Sequence, residues 1–218
     1  MTTTECPPLA DRITKSLLGY GVIAGPIYIA VVAVQEATRA GFDPTRHAAS
    51  QLANGALGWI QVINFLVTGA MTIAAAVGVG RALGPGRPSM WGSWLIGGFG
   101  AGLLAAAIFK ANPSDGFPPG TPDGVGEVSW RGVAHFVSAG VGFACLVAAC
   151  FVLAAPFARD GRRGWAWYSR ITAIVFAGSF AAVASGSGGP LVMLAFTAAI
   201  VLGWAWLTAI SVNLYRQV

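Results

Sequence analysis

The sequence predicts an all-α fold: a polytopic membrane protein built as a bundle of six transmembrane helices, with a short interfacial helix and a Pro/Gly-rich outer loop. The first observation behind this prediction is composition. Of the 218 residues, 56% are hydrophobic and 10% are charged, whereas about 25% of the residues in a soluble domain carry charge. The second is that the apolar residues form long uncharged runs, with a mean hydropathy of +0.68. Together these observations exclude a water-soluble globule.

Uncharged stretches mark the spans in order along the chain. They cover residues 16–35, 56–80, 88–109, 132–158 and 171–215. A helix needs about 20 residues to cross the hydrocarbon core, so the last stretch holds two spans, divided by the Ser/Gly/Pro run at 185–190. We therefore predict a cytoplasmic N-terminal head at 1–15 and a single six-helix transmembrane domain at 16–216. Its spans lie at about 16–36, 57–80, 89–109, 132–156, 165–184 and 190–215.

The lysines and arginines predict the orientation, because short cytoplasmic loops carry an excess of them. Nine of the 13 lie on the side of the N-terminus, the second and fourth loops and the C-terminus. The other four are Arg39, Arg46, Lys110 and Arg131. We expect a location in the cell (plasma) membrane, with both termini in the cytoplasm and the first, third and fifth loops outside. Because the basic residues are scattered over short loops, nucleic-acid binding is excluded.

The polar residues gather on the predicted outer side. His47 follows the first span and His135 lies at the start of the fourth, so both histidines fall next to the outer membrane surface. This convergence is the main functional indication in the sequence. The acidic residues on or beside the same loops are Glu36, Asp43, Asp115, Asp123 and Glu127.

The first outer loop contains a predicted helix start. Asp43 followed by Pro44 is typical of a helix N-terminus, since the carboxylate can cap free N–H groups and proline suits the first helical position. We predict a short interfacial or re-entrant helix that carries His47, Ser50 and Gln51 on one face. The alternative is that Asp43 is only a cap and that His47 and its neighbour Arg46 contact lipid phosphates or water.

The third outer loop, residues 111–124, is too rich in proline and glycine for regular structure, so we predict a structured cap or a mobile lid. Asp115 and Asp123 can approach the bundle from this loop, or they can simply stabilise turns, which is the favoured interpretation for Asp123. After it, His135-x-x-Ser138 repeats the spacing of His47-x-x-Ser50. This similarity suggests a parallel two-span repeat around one cavity.

Two histidines, carboxylates and serines at a lipid interface can supply a general acid, a general base and an oriented hydroxyl. The candidate catalytic residues are His47, His135, Asp43, Asp115, Ser50 and Ser138. The candidate substrate-binding residues are Arg46, Asn64, Trp59, Trp130 and Phe117. No cofactor is predicted. A metal held by the two histidines and carboxylates remains an alternative, although the sequence has no His-Glu-x-x-His and no close cysteine pair of the metal-binding type.

With these motifs in view, the chain resembles the bacterial and archaeal six-span membrane proteins of the domain of unknown function 998 family. The residues that carry the resemblance are Asp43-Pro44-x-x-His47-x-x-Ser50-x-Leu52, the Asn112-Pro113-x-Asp115-Gly116-Phe117-Pro118 loop and His135. The resemblance covers nearly the whole chain, and Gln51 departs from it where an acidic residue is expected. The family is similar to a six-span group that includes eukaryotic proteins of lipid remodelling and lipid-kinase regulation. It therefore implies a lipid context and gives no reaction.

Two classes of function follow. The first is an integral membrane enzyme that uses the outer His/Asp/Ser cluster for hydrolysis or acid-initiated rearrangement or cyclisation of a lipid or isoprenoid-like substrate. The alternative is a non-catalytic lipid-binding or accessory protein, or a transporter of an apolar small molecule. Ion-coupled transport is disfavoured because the spans hold few ionisable residues. The expected partners are membrane lipids or a hydrophobic small molecule, and the oligomeric state stays open.

Overall fold

A computed structural model describes residues 8–218 of the chain. Within that range the helices are α1 (Leu9–Thr38), α2 (Gly58–Leu83), α3 (Arg87–Ile108), α4 (Trp130–Arg159), α5 (Arg163–Ala184) and α6 (Pro190–Tyr215), with a 3-10 helix at Ala49–Ala53. All six α-helices are long and apolar enough to cross a membrane. The predicted six-span all-α fold is confirmed, and the protein is of the multi-pass membrane type.

The first helix begins earlier than the first predicted span. Residues 1–7 of the predicted head lie outside the described residues, and residues 9–15 form the first two turns of α1. Asp11 in the first turn suits the positive end of the helix dipole. Arg81 of α2 donates from Nε to Thr14 Oγ1 at 3.0 Å, which holds these turns against the second helix.

The helices form a closed ring. Each helix packs against the next one in sequence, and α6 returns to pack against α1. The chain passes up and down, so the connections at 39–57, 109–129 and 185–189 share one end of the bundle, here called the loop end. The start of α1, the end of α6 and the other two turns share the opposite end, here called the terminal end. The ring therefore surrounds a central space, which two directly packed layers of helices would not leave.

Glycines allow the closest helix contacts, as in many membrane bundles. Gly102 of α3 faces Gly142 of α4 so closely that a Cβ on Gly102 would lie 2.9 Å from the Gly142 Cα atom. On α1, Gly21 and Gly25 face Ser211 and Thr208 of α6. These small residues pack helices of one chain together and bring α6 against α1.

A buried row of amides joins α1 to α2. Gln35 Nε2 donates to Gln61 Oε1 at 2.8 Å, and Asn64 Nδ2 donates to the Tyr28 carbonyl at 3.3 Å. Hydrogen bonds between transmembrane helices contribute about 0.6 kcal/mol each on average. Asn64, a predicted substrate-binding residue, lies in this seam.

Exposed tryptophans mark the two ends of the bundle. Trp59 and Trp130 begin α2 and α4 at the loop end, while Trp91, Trp94 and Trp167 lie near the starts of α3 and α5 at the terminal end. Tryptophan is enriched where the hydrocarbon core meets the headgroups. The two groups therefore indicate the two membrane surfaces, and Trp59 and Trp130 belong to that belt.

Candidate functional site

The connections at 39–57 and 109–129 fold together over the loop end of the ring and are here called the loop cap.

The predicted helix start at Pro44 is wrong, because residues 44–46 form turns and the 3-10 helix begins only at Ala49. The cause is local. Asp43 Oδ1 accepts from the Thr45 N–H at 2.8 Å and from Thr45 Oγ1 at 2.7 Å, and such bonds to the residue two positions on favour a turn over a helix. The same two bonds, the hydroxyl first, lower the pKa of the Asp43 carboxyl group below its usual value.

His47 is bonded at both ring nitrogens by backbone groups of the loop cap. The Asp43 N–H donates to His47 Nδ1 at 2.9 Å, so Nδ1 is an acceptor and carries no proton. His47 Nε2 lies 3.0 Å from the Asp115 carbonyl oxygen and must be the donor in that pair. The imidazole is thus a neutral tautomer that ties the first connection to the third.

An aromatic cluster surrounds that histidine. The His47 ring packs against Phe42 and Phe117, whose own rings meet edge to face at 5.2 Å. Phe117 has no exposed surface. The Arg39 guanidinium lies over its ring, 5.3 Å from the centroid. The predicted substrate-binding residue Phe117 is therefore the core of the loop cap.

Arg39 fastens the cap to the bundle. Its guanidinium donates to the Leu52 carbonyl at 3.1 Å and to the Asn54 carbonyl at 2.6 Å. Burial lowers the pKa of the Arg39 side chain. No local sequence pattern indicates a role for this residue, yet its two donors hold the end of the 3-10 helix.

The proline-rich connection is a structured cap. The Asp115 N–H donates to the Gly124 carbonyl at 2.9 Å, and Gln51 Nε2 donates to Ser114 Oγ at 2.5 Å. Asp123 forms an exposed ion pair with Arg46 at 2.9 Å. Of the two predicted alternatives for this loop, the structure has the cap.

Beneath the loop cap, the ring of helices lines a partly open cavity of about 570 Å³. One end of it, below the cap, is polar. The polar groups there come from Glu36, Ser50, Gln51, Asn112 and His135. The other end reaches toward the middle of the bundle and is aromatic. Its rings come from Tyr28, Phe65, Phe99, Phe143, Phe176, Phe196 and Trp204.

His135 is the group in this cavity that can exchange a proton through a free nitrogen. Its side chain is only 7% exposed, and Nδ1 lies 2.7 Å from the Phe109 carbonyl oxygen. A carbonyl can only accept, so Nδ1 carries the proton and donates. The Ala106 carbonyl of α3 also lies close to the ring, but within residues 8–218 the bond from Nδ1 to Phe109 is the one hydrogen bond of ordinary geometry that the ring makes. The residue lines the cavity wall. Nε2 is therefore free to bond a ligand.

The two His-x-x-Ser sequences are used in opposite ways. After the first span, His47 lies in the loop cap and Ser50 lines the cavity. In α4, His135 lines the cavity, and Ser138 Oγ donates to the Ala134 carbonyl of its own helix at 2.6 Å. The structure therefore brings His135 and Ser50 to one cavity, and it places His47, Asp43 and Asp115 together in the cap.

Three residues at the polar end of the cavity were not among the sequence-predicted site residues: Glu36, Gln51 and Asn112. Glu36 stands directly after the uncharged run of the first span, where an acidic residue is ordinarily assigned to the membrane surface. Asn112 Oδ1 accepts from the Ser129 hydroxyl and N–H, so its side chain connects the loop cap to the start of α4. The signal that could have found Glu36 is its helical spacing from Tyr28 and Val32, which places all three on one face of α1.

Residues 8–218 contain no group of three histidine, cysteine, aspartate or glutamate side chains placed to hold a metal ion. His47 has both nitrogens engaged with backbone, and a ligating nitrogen must be free. The two histidines are therefore not placed to hold one metal ion between them.

The family model described as "Protein of unknown function (DUF998)" matches residues 22–213. That range takes in most of α1, the whole loop cap and nearly all of α6. No curated protein and no solved structure shows a significant match to the chain.

Proposed function

This chain belongs to the DUF998 family of proteins of unknown function, and on that premise we propose that it is an integral membrane enzyme. Its substrate is an amphipathic molecule from the bilayer, lipid-like or isoprenoid-like, held in the central cavity. The observation that carries the proposal is the free Nε2 of His135 in the wall of that cavity. A buried imidazole with one nitrogen fixed and the other free is the usual arrangement of a general base or acid.

The shape of the cavity supports an amphipathic substrate. Small-molecule sites measure about 300–1,000 Å³ and combine apolar walls with a few polar groups, and this cavity has about 570 Å³. The substrate's polar end lies beside Glu36, Ser50 and His135, and its apolar end lies among the rings near Trp204. The reacting bond is then at the polar end.

The chemistry at that end is proton transfer. His135 Nε2 takes a proton from a water molecule or a substrate hydroxyl, and the protonated ring returns it in the following step. Ser50 positions the reacting oxygen through its hydroxyl group. Hydrolysis follows this order of steps. Acid-initiated rearrangement or cyclisation uses the reverse order, in which the protonated ring first donates its proton to the substrate and takes one back from the product cation. In this proposal His47, Asp43 and Asp115 are positioning residues that hold the loop cap.

The orientation follows from the distribution of basic residues. The terminal end carries nine of the 13 lysines and arginines, so the proposal places both termini in the cytoplasm of a cell with the protein in its plasma membrane. The polar end of the cavity then lies near the outer surface. The expected partners are membrane lipids or a hydrophobic small molecule, and no nucleic acid.

The test compares lipid and metabolite profiles of host cells that carry wild type, His135→Asn, Ser138→Ala or an empty vector, at matched membrane levels. Asparagine keeps an N–H donor where Nδ1 bonds the Phe109 carbonyl and removes the base at Nε2. Ser138→Ala is the matched control, because this residue lies one turn along α4 and bonds only within its helix.

We expect a lipid or metabolite whose level differs from the empty vector in cells with wild type and in cells with Ser138→Ala. In cells with His135→Asn its level should equal that of the empty vector. Equal profiles for wild type and His135→Asn would refute the proposal that the protein is an enzyme. A lipid that co-purifies with both proteins and is not converted would instead support the second candidate, a non-catalytic lipid-binding protein. The aromatic end of the cavity is the observation that favours this second candidate.

A further inference from the structure

We infer that the polar end of the cavity selects an amphiphile whose headgroup donates hydrogen bonds, such as a long-chain alcohol or amine, and excludes phosphate and diphosphate headgroups. The inference rests on the proposed function, since it names the substrate class of the same cavity. It depends on two observations: the hydrogen-bond acceptors at the polar end, and a lining that contains no lysine or arginine among the described residues.

The polar end presents hydrogen-bond acceptors. His135 Nε2 is an acceptor because Nδ1 carries the proton. Gln51 also lines this end; its amide N–H donates to Ser114, and its Oε1, which has no partner among the described residues, is buried behind the cavity surface. The Glu36 carboxyl oxygens lie in the same wall. Buried acceptors favour a ligand that brings O–H or N–H groups to them.

The lining contains neither lysine nor arginine within the described part of the chain. Two of the four basic residues at the loop end, Lys110 and Arg131, adjoin the lining residues Ala111 and Gly132 but lie outside the wall. The other two are engaged elsewhere. Arg39 bonds the Leu52 and Asn54 carbonyls, and Arg46 pairs with Asp123. Phosphate groups are ordinarily bound by Arg forks, Lys or free N–H groups of a helix N-terminus.

The α4 residues that line the cavity wall at the helix start have N–H groups that are already bonded. Gly132 lines the wall, and its N–H donates to Ser129 Oγ at 3.0 Å. The Val133 N–H donates to the Ser129 carbonyl. An anionic headgroup would therefore meet the Glu36 carboxyl group and His135 Nε2, with no lysine or arginine in the described lining to offset them.

The test uses three photo-cross-linking probes with the same hexadecyl chain, a diazirine near its middle, and a terminal hydroxyl, amine or phosphate. The full-length protein is reconstituted in phosphatidylcholine nanodiscs, and cross-linked residues are mapped by mass spectrometry. Labelling at Trp204, in the cavity, is divided by labelling at Ile174, which is 61% exposed on the outer face of α5. This ratio corrects for different partitioning of the probes into the bilayer.

We expect the alcohol and the amine to give a ratio about tenfold above that of the phosphate, the effect of one well-placed buried hydrogen bond. Glu36→Gln should lower the labelling ratio of the amine probe and leave the ratio of the alcohol probe unchanged. Ala139→Phe narrows the cavity wall and should abolish cavity labelling by all probes. Ala144→Phe is its control, because Ala144 is an exposed residue of the same helix.

The outcomes separate the two claims. Equal or stronger cavity labelling by the phosphate probe would overturn the headgroup inference and leave the proposed enzyme in place. If none of the probes labels Trp204 above Ile174, and Ala139→Phe leaves the lipid profile of the host unchanged, the cavity is not a lipid site and the proposed function fails.

Discussion

The two histidines of this protein lie in two regions that treat the same side chain differently. In the loop cap, backbone groups bond both nitrogens of His47, and two phenylalanine rings pack against its ring. In the cavity wall, one backbone carbonyl bonds His135 and the second nitrogen is left free. The role of each histidine therefore depends on how many of its ring nitrogens are left without a hydrogen-bond partner.

The comparison can be tested first at the cap, where the largest effect on stability is expected. His47→Ala removes the ring between Phe42 and Phe117 and leaves the Asp43 N–H and the Asp115 carbonyl without partners. We expect the free energy of unfolding to fall by about 3 kcal/mol, measured by SDS titration in mixed micelles. Ile174→Ala, an exposed change of similar size, is the control. A loss below about 1 kcal/mol would mean that the cap does not depend on His47.

At the cavity, a matched substitution should leave stability almost intact. His135→Asn retains the donor to the Phe109 carbonyl and removes no other bond, so the same titration should show a loss below about 1 kcal/mol. His135→Leu, which leaves that carbonyl unbonded, should cost more than His135→Asn. Equal losses for the two variants would show that Nδ1 is not the anchoring nitrogen and would break the contrast between the regions.

Lowering the pH tests the cap separately from the cavity, because Asp43 belongs to the cap alone. The pKa of its carboxyl group is lowered in the folded state, first by the Thr45 hydroxyl and then by the Thr45 N–H. Its contribution to stability is therefore present above the unfolded pKa of about 3.9 and is lost as the pH falls through the lower folded value. We expect the thermal midpoint of wild type to exceed that of Asp43→Asn between pH 5 and 7. This gap should close below about pH 4, whereas a constant gap from pH 7 to pH 3 would contradict the assignment.

The smallest effect is expected at the surface of the cap. Arg46 and Asp123 form an ion pair whose side chains are 49% and 85% exposed, and exposed pairs contribute less than about 1 kcal/mol. Arg46→Ala should change the unfolding free energy by no more than about 0.5 kcal/mol. The lipid profile of the host should stay that of wild type. A lost conversion with normal stability would make Arg46 a substrate-binding residue, as the sequence predicts.

The six spans could be predicted because charge is nearly absent from them. Hydropathy alone placed each boundary within a few residues at most ends, and the main exception is α1. Its extra turns depend on Arg81 reaching Thr14, a contact between distant residues. The sequence carries no local signal for such a contact.

The site was harder to predict, because its local structure depends on which acceptors and donors bond to each other. The Asp43-Pro44 pair has the composition of a helix start, yet Thr45 supplies two donors at shorter range and a turn results. The grouping of Glu36, Gln51 and Asn112 requires the ring to close and the cap to fold over it. Spacing indicated that both histidines lie at the loop end, and it could not show which nitrogen of each stays free.

Closure of the ring has a consequence for biosynthesis. The cavity wall includes α6, which packs against the Gly21 and Gly25 face of α1. During translation the ribosome releases α6 after α1 to α5, so the cavity wall is complete only once α6 has packed against α1. Until then the small-residue face of α1 stays open within the membrane. A nascent chain that has not yet inserted α6 has every polar group of the site but an incomplete wall, so α6 must insert before a ligand can be held.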